Sequence, residues 1–399
     1  MRNYRPILCA VLSTFLGILW WATFAHSGLS KHLHSWLLRQ VTQEWWANGP
    51  EQRLAQEICK PEKGPPSIYD CQAVPVGGGL PQFILISPDK TGSTAIFEDL
   101  SAGHSQISNG VACKELHFWD RKYDENISHQ KNMMELRKYF PPPCADLVMG
   151  ESTPGYFVQA QVARRIAMHL PAVKLICVLR NPVERFLSRL VGNLFHQATD
   201  KRHACDWHLD HFWKRERLLC QGLGADVGRQ GICVKHEEMH GGPIGTGLYW
   251  TNLKVWGRYF KLTGKSRDLL VLPSEWFGGV LGEHMASKSL QKIAEFLGLR
   301  PWSEKELANR PTMRRHVGSS HKSALNISLT DPQSELTKDL AKRAGTDHWQ
   351  CEDGTIASLE RIYRWDNAKL GEYLRAALLS DGLDLSEWPF PPWLTYLET

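Results

Sequence analysis

The 399-residue chain contains no internal repeat and no low-complexity tract, which excludes a solenoid, a propeller or a disordered scaffold as its overall plan. It lacks a strong charge imbalance. A formal net charge of +5 identifies no anionic partner by itself, and nucleic-acid binding has no support beyond this mild basicity. It also lacks the full G-x-x-x-x-G-K-[ST] loop of nucleoside triphosphatases, because Gly92 follows Lys90 instead of preceding it. A kinase or ATPase is disfavoured accordingly. With 42% hydrophobic and 22% charged residues, what remains is the composition of a folded globular protein.

Charge is missing altogether from Ile7 to Ala25, a run long enough to span a bilayer and preceded by Arg2 and Arg5. The positive-inside rule places residues 1–6 in the cytoplasm and everything beyond the Trp20-Trp21 pair on the far side. A cleaved signal peptide needs a shorter apolar core and a small-x-small site, and Thr23-Phe24-Ala25 is a poor one. The expectation is a signal-anchor at 7–25, a stem and linker at 26–81, and a luminal domain at 82–399. The sequons at Asn126 and Asn326 fit that side of the membrane. Nine of the ten cysteines lie beyond the anchor, where an oxidising lumen favours disulfides. Cys177 is the expected exception, because it sits in the apolar run Leu175 to Leu179.

Phe83 to Ile86, Leu175 to Leu179 and Leu269 to Leu272 are short, wholly apolar runs, and helical patterns stand between them at Gln159 to His169 and Thr251 to Tyr259. Continuously apolar strands alternating with helices predict an α/β domain, its central parallel sheet flanked by helices. The first run is followed by Ser87-Pro88-Asp89-Lys90-Thr91-Gly92-Ser93-Thr94 and then a helical segment. This strand, small-residue loop and helix offers backbone N–H groups, an ammonium and hydroxyls to a phosphate. An ordinary capped turn uses the same residue types.

The second run ends in Arg180-Asn181-Pro182-Val183-Glu184-Arg185-Phe186-Leu187-Ser188, which resembles the R-[DN]-P-x-x-R-x-x-S motif of sulfotransferases. The loop at 88–94 is similar to the 5'-phosphosulfate loop of the heparan sulfate and related glycosaminoglycan sulfotransferases. Lys114 to Asp120, Gly150 to Phe157 and Gly245 to Tyr249 match further motifs of that family in order and spacing, with a weaker echo at Tyr363 to Leu370. The resemblance implies a P-loop-like nucleotide-binding sulfotransferase fold in a type II Golgi membrane protein. It implies 3'-phosphoadenosine 5'-phosphosulfate (PAPS) as donor and a polysaccharide as acceptor.

Sulfonate transfer needs a positive cradle for the leaving phosphate, a base for the attacking hydroxyl and an in-line geometry; that set requires no metal. Lys90 is placed to neutralise the bridging oxygen, with Thr91, Gly92, Ser93 and Thr94 as donors. The resemblance assigns Arg180 and Ser188 to the 3'-phosphate, although an ion pair with Glu184 is an alternative for Arg180. It makes Glu115 the base and His117 its support. Those two stand at i and i+2 of what reads as an extended segment and would face one side; a half-exposed edge strand is the bland reading. Asp120, Ser152 and Tyr249 are expected at the acceptor. Ser152 departs from the lysine that many heparan-type enzymes carry there. The family's C-terminal phosphate loop is missing too, and His321 and Lys322 stand in for it.

The stretch His203 to His240 gathers histidines and cysteines, and His236-Glu237-Glu238-Met239-His240 matches H-E-x-x-H. Gly241-Gly242-Pro243 breaks any helix there, so disulfides and an acceptor-facing insert explain the cluster better than zinc. Two other functions remain open at this level. One is a sulfotransferase for tyrosine or a small alcohol; the other is an inactive glycan binder that keeps the fold.

Overall fold

The apolar runs become a four-stranded parallel sheet, with strands β1 (Phe83–Leu85), β2 (Gly150–Ser152), β3 (Lys174–Leu179) and β4 (Leu269–Pro273) in the order β2-β1-β3-β4. In this computed structural model the described residues are 78–107, 114–140, 147–189, 208–214, 242–264, 266–277, 281–310 and 353–394. All belong to one unit, Pro61–Thr399. The expected tail, the span at 7–25 and nearly all of the stem lie outside them, as do His321, Lys322, Asn326 and the His236–His240 match. No helix among the described residues is long and apolar enough to cross a membrane.

The helices are α1 (Ser93–Gly103), α2 (His129–Arg137), α3 (Ala160–His169), α4 (Pro182–Arg189), α5 (Gly242–Gly245), α6 (Tyr249–Trp256), α7 (Gly282–Leu297), α8 (Glu304–Asn309) and α9 (Asp353–Ser380). Alternate strand residues point to opposite faces, so a continuously apolar strand must be covered twice. Phe83, Leu85, Ile176, Val178, Leu270 and Leu272 pack with Phe97 and Leu100 of α1 and Leu290 and Ile293 of α7. Ile84, Leu175, Cys177, Leu179, Leu269 and Val271 pack with α3, α6 and α9 through Ile166, Trp256 and Leu370. Each such fully buried side chain stabilises the fold by about 1.5–3 kcal/mol. Cys177 is a buried free thiol, and burial pushes its ionisation far up.

β2 reads Gly-Glu-Ser, with no apolar pattern, and forms by pairing: Phe83 lies opposite Gly150 and Leu85 opposite Ser152. Gly150 is required there. A Cβ at this position would stand 2.1 Å from the Phe83 ring. The helix expected at 251–259 runs instead over Tyr249–Trp256. Its start is fixed by Asp366 of α9, whose carboxylate accepts from Trp250 N (2.6 Å), Thr251 N (3.0 Å) and Thr251 Oγ1 (2.7 Å). A carboxylate at orphan N–H groups is how a helix N-terminus is satisfied, and here it comes from a distant element.

Candidate active site

β1 and β3 are neighbours in register, Leu85 opposite Ile176, and β2 lies on the other side of β1. The chain therefore leaves the carboxyl ends of β1 and β3 in divergent directions, and parallel sheets hold their ligands in the crevice this creates. A cleft of about 830 Å³ opens there, and its walls include Lys90, Gly92, Ser93, Thr94, Glu115, His117, Arg180 and Ser188. Eight of the residues expected from sequence thus meet in one cavity.

The first loop turns sharply because Lys90 (φ 65°) and Gly92 (φ 86°) both adopt left-handed backbone conformations. Thr91 is directed inward: it is fully buried, and its Oγ1 donates to the Pro88 carbonyl at 2.8 Å, so it braces the loop instead of lining the cleft. Gly92 supplies no side chain to cap α1. The first turn of the helix therefore begins at the cleft with its dipole uncompensated by any capping side chain.

The second loop is held from three sides. Arg180 donates from Nε and Nη2 to Glu184 Oε2 at 3.0 and 2.8 Å, so the ion pair is present while Arg180 still lines the cleft. Asn181 N donates to Glu275 Oε1 at 3.2 Å, and Trp393 Nε1 donates to the same oxygen at 2.8 Å. Burial raises the Glu275 carboxyl above its ordinary range. Tyr249, expected at the acceptor, is instead fully buried, and its hydroxyl donates to the Arg180 carbonyl at 2.8 Å. It supports the second loop from behind.

Two arginines of α4 went unassigned in the sequence. Arg185 and Arg189 line the cleft with Ser188, and both are ion-paired to Asp89 of the first loop. The spacing 185, 188, 189 places all three on one helical face, a signal that was available. Arg185 is fully buried, and its Nε has no hydrogen-bond partner.

Glu115 and His117 do not lie on the extended segment expected for them. Both are left-handed, at φ 62° and 51°, and only Lys114 makes a bridge, to Ser152. The apolar residues between and after them, Leu116 and Phe118, are buried, and the segment turns at His117 into a π-helical turn at Phe118–Lys122. The two side chains still reach the same cleft. Lys114, also unassigned in the sequence, is buried and holds Glu115 Oε1 at 2.6 Å. That bond keeps the Glu115 carboxyl below the usual carboxylate range. His117 Nδ1 is 2.9 Å from Asp120 Oδ2, and the His117 N–H reaches Thr153 Oγ1 at 3.4 Å. Asp120 is buried and does not line the cleft itself; it reaches it through His117 and through Arg121, whose Nε is 3.9 Å from Asp120 Oδ2. Ser152 is fully buried on β2 with its hydroxyl unpartnered, and it does not line the cavity.

Six cationic side chains, Lys90, Lys114, Arg121, Arg180, Arg185 and Arg189, face two carboxylates, Asp89 and Glu115, across this cleft. Such a surplus concentrates anions. The model of the sulfotransferase domain matches residues 80–315, more than half of the chain and all of this site. The chain belongs to the sulfotransferase family. The cleft, with the two loops at the carboxyl ends of β1 and β3, lies wholly within the matched residues. The chain is similar to mouse (Mus musculus) heparan sulfate glucosamine 3-O-sulfotransferase 6, at 25% identity over 80% of this chain and 81% of the relative. Human (Homo sapiens) heparan sulfate glucosamine 3-O-sulfotransferase 3B1 is 26% identical over 74% of this chain and 69% of its own length. Among solved structures, a sulfotransferase from Alicyclobacillus acidocaldarius aligns with 68% of this chain and 98% of its own, at 17% identity and a TM-score of 0.35.

Proposed function

We propose that this sulfotransferase moves a sulfonate group from PAPS to a hydroxyl or amine of a glycosaminoglycan-like polysaccharide, with Glu115 as the base. The observation that carries this reading is the meeting of Lys90, Arg180 and Ser188 with Glu115 and His117 in one cationic cleft. The residues present fit the donor: the buried Arg185 Nε at the cleft wall lacks a partner, and no side chain caps α1. Lys90 and residues 92–94 would hold its 5'-phosphosulfate end, and Arg180 and Ser188 its 3'-phosphate. When bound, PAPS supplies a sulfonate already activated as a mixed anhydride.

The remaining work falls to the chain's own groups. The Lys90 ammonium offsets negative charge at the leaving phosphate. Glu115, held by Lys114 below the usual carboxylate range, accepts the acceptor proton on a carboxylate oxygen. A base held this low removes a hydroxyl proton only as the new S–O bond drains charge from that oxygen. Asp120 fixes the His117 ring through Nδ1, leaving Nε2 as the ring's other polar atom.

The relatives named for heparan sulfate support a polysaccharide acceptor of that type. A Golgi membrane protein of type II orientation, anchored by residues 7–25, is supported by the charge-free run after Arg2 and Arg5 and by Asn126, exposed in the turn before α2. The test is transfer of labelled sulfate from PAPS by the purified full-length protein in detergent. Heparan, chondroitin, dermatan and neutral polysaccharides are offered alongside a tyrosine peptide. Incorporation into one anionic glycan is expected; incorporation into the peptide alone would overturn the acceptor assignment.

A further inference from the structure

Beneath the cleft lies a carboxyl group that the transfer reaction does not use. Glu151, the central residue of β2, is fully buried, no lysine or arginine among the described residues ion-pairs with it, and the hydroxyls beside its carboxyl miss full hydrogen-bond geometry. The groups that face it are Asp120 and Lys122 of the π-helical turn and the hydroxyls of Thr153 and Tyr156. Those same hydroxyls hold the catalytic turn by its backbone: Thr153 Oγ1 accepts from His117 N at 3.4 Å, and the Tyr156 oxygen accepts from Trp119 N at 3.2 Å. Asp120, 5% exposed, also has one oxygen, Oδ1, without a partner.

An unpaired carboxylate in such a place is too costly to persist, and two adjacent buried carboxylates cannot both be charged cheaply. We propose that Glu151 is retained as a neutral carboxylic acid and acts as a positioning residue, leaving Asp120 the single negative charge beneath the turn so that it can hold His117. Burial first, and the Asp120 charge as a further cause, push the Glu151 carboxyl up to about 8. Tyr156, pushed well above its ordinary range, stays neutral throughout that interval. When Glu151 ionises, its charge repels Asp120 and competes for the Thr153 and Tyr156 hydroxyls, so His117 loses its orientation. The proton leaves to solvent, and no other group changes its covalent state.

This inference rests on the placement of the His117–Asp120 pair in the active site, and the experiment separates the two. Sulfate transfer by the full-length protein is measured from pH 6 to 10 for wild type, Glu151→Gln, Glu151→Ala and Asp120→Asn, with kcat and KM resolved. Wild-type kcat is expected to fall about tenfold per pH unit above the Glu151 transition. Glu151→Gln, a neutral isostere, should keep most of the kcat at pH 7 and lose the alkaline fall. Glu151→Ala should lose about tenfold in kcat at every pH with donor KM unchanged. A Glu151→Gln enzyme that falls with pH as wild type does would overturn the proposal, whether or not Glu151→Ala folds. An Asp120→Asn enzyme indistinguishable from wild type would instead remove the site assignment on which it stands.

Discussion

Replacing Glu151 by Gln should stabilise the protein, and by an amount that depends on pH in a defined way. The carboxyl titrates near 4.5 when free and near 8 in the fold. Below pH 4.5 both states keep the proton and the substitution changes no ionisation. Between 4.5 and 8 the unfolded chain releases it while the native protein holds it, so native stability falls with rising pH, the reverse of the usual ion-paired carboxylate. The slope is about 1.4 kcal/mol per pH unit, and over the 2.5 units from 4.5 to 7 the cost of Glu151 reaches about 3 kcal/mol. Above 8 both states are ionised and the difference levels off. Gln carries no such penalty. Urea unfolding of wild type and Glu151→Gln between pH 4.5 and 8.5 measures the difference directly. It should widen steadily to pH 8 and then stop widening. A difference that stays flat across this interval would show that Glu151 is not held protonated by the fold, whatever its absolute size.

Three further outcomes are expected. Lys90→Ala and Glu115→Gln should each lower turnover by about 10²-fold or more, with binding of the product nucleotide PAP retained in the second, as calorimetry can check. Unchanged turnover in either variant would remove that residue from the mechanism. Lys114→Met should let the Glu115 carboxyl rise toward its ordinary range, because its largest lowering influence is the Lys114 bond. The acid limb of the kcat/KM profile then moves to higher pH, while Lys114→Arg leaves it near its original position. Asp366→Ala removes three hydrogen bonds to one buried carboxylate and strands the Trp250 and Thr251 N–H groups at the start of α6. At about 1–1.5 kcal/mol each, the loss is about 3–4.5 kcal/mol, measured as a lower urea midpoint.

Sequence showed the sheet where burial on both faces writes an unbroken apolar run, as in Leu175–Leu179 and Leu269–Leu272. It could not show β2, because Gly-Glu-Ser owes its strand geometry to the neighbour Phe83 and not to its own side chains. The two loops were legible because several motifs recur in order and spacing along the chain, whereas the first loop alone could equally be an ordinary capped turn. Within those motifs, however, proximity in the chain does not say which side chains turn outward. Ser152 and Tyr249 turn inward, and Tyr249 works through the Arg180 carbonyl. The Asp89 pairs with Arg185 and Arg189 join residues about a hundred positions apart and depend on β1 and β3 being neighbours. No local pattern encodes that adjacency.

The turn at Glu115–His117 makes the same point in backbone terms. Polar and apolar residues alternate from Glu115 to Phe118, the period of a strand, and Leu116 and Phe118 are both buried, yet the backbone turns at Glu115 and His117 instead of extending. Glu115 and His117 make that turn in left-handed conformations, and the only other non-glycine residue among those described with positive φ is Lys90. A left-handed residue with a Cβ is strained by about 1–2 kcal/mol, and glycine would relieve it at each place. A glycine, however, carries no ammonium, carboxylate or imidazole. All three strained positions line one cleft. Backbone strain gathered at a single cavity, on side chains able to neutralise charge and to move a proton, is what a site that needs those groups in fixed positions imposes on its fold.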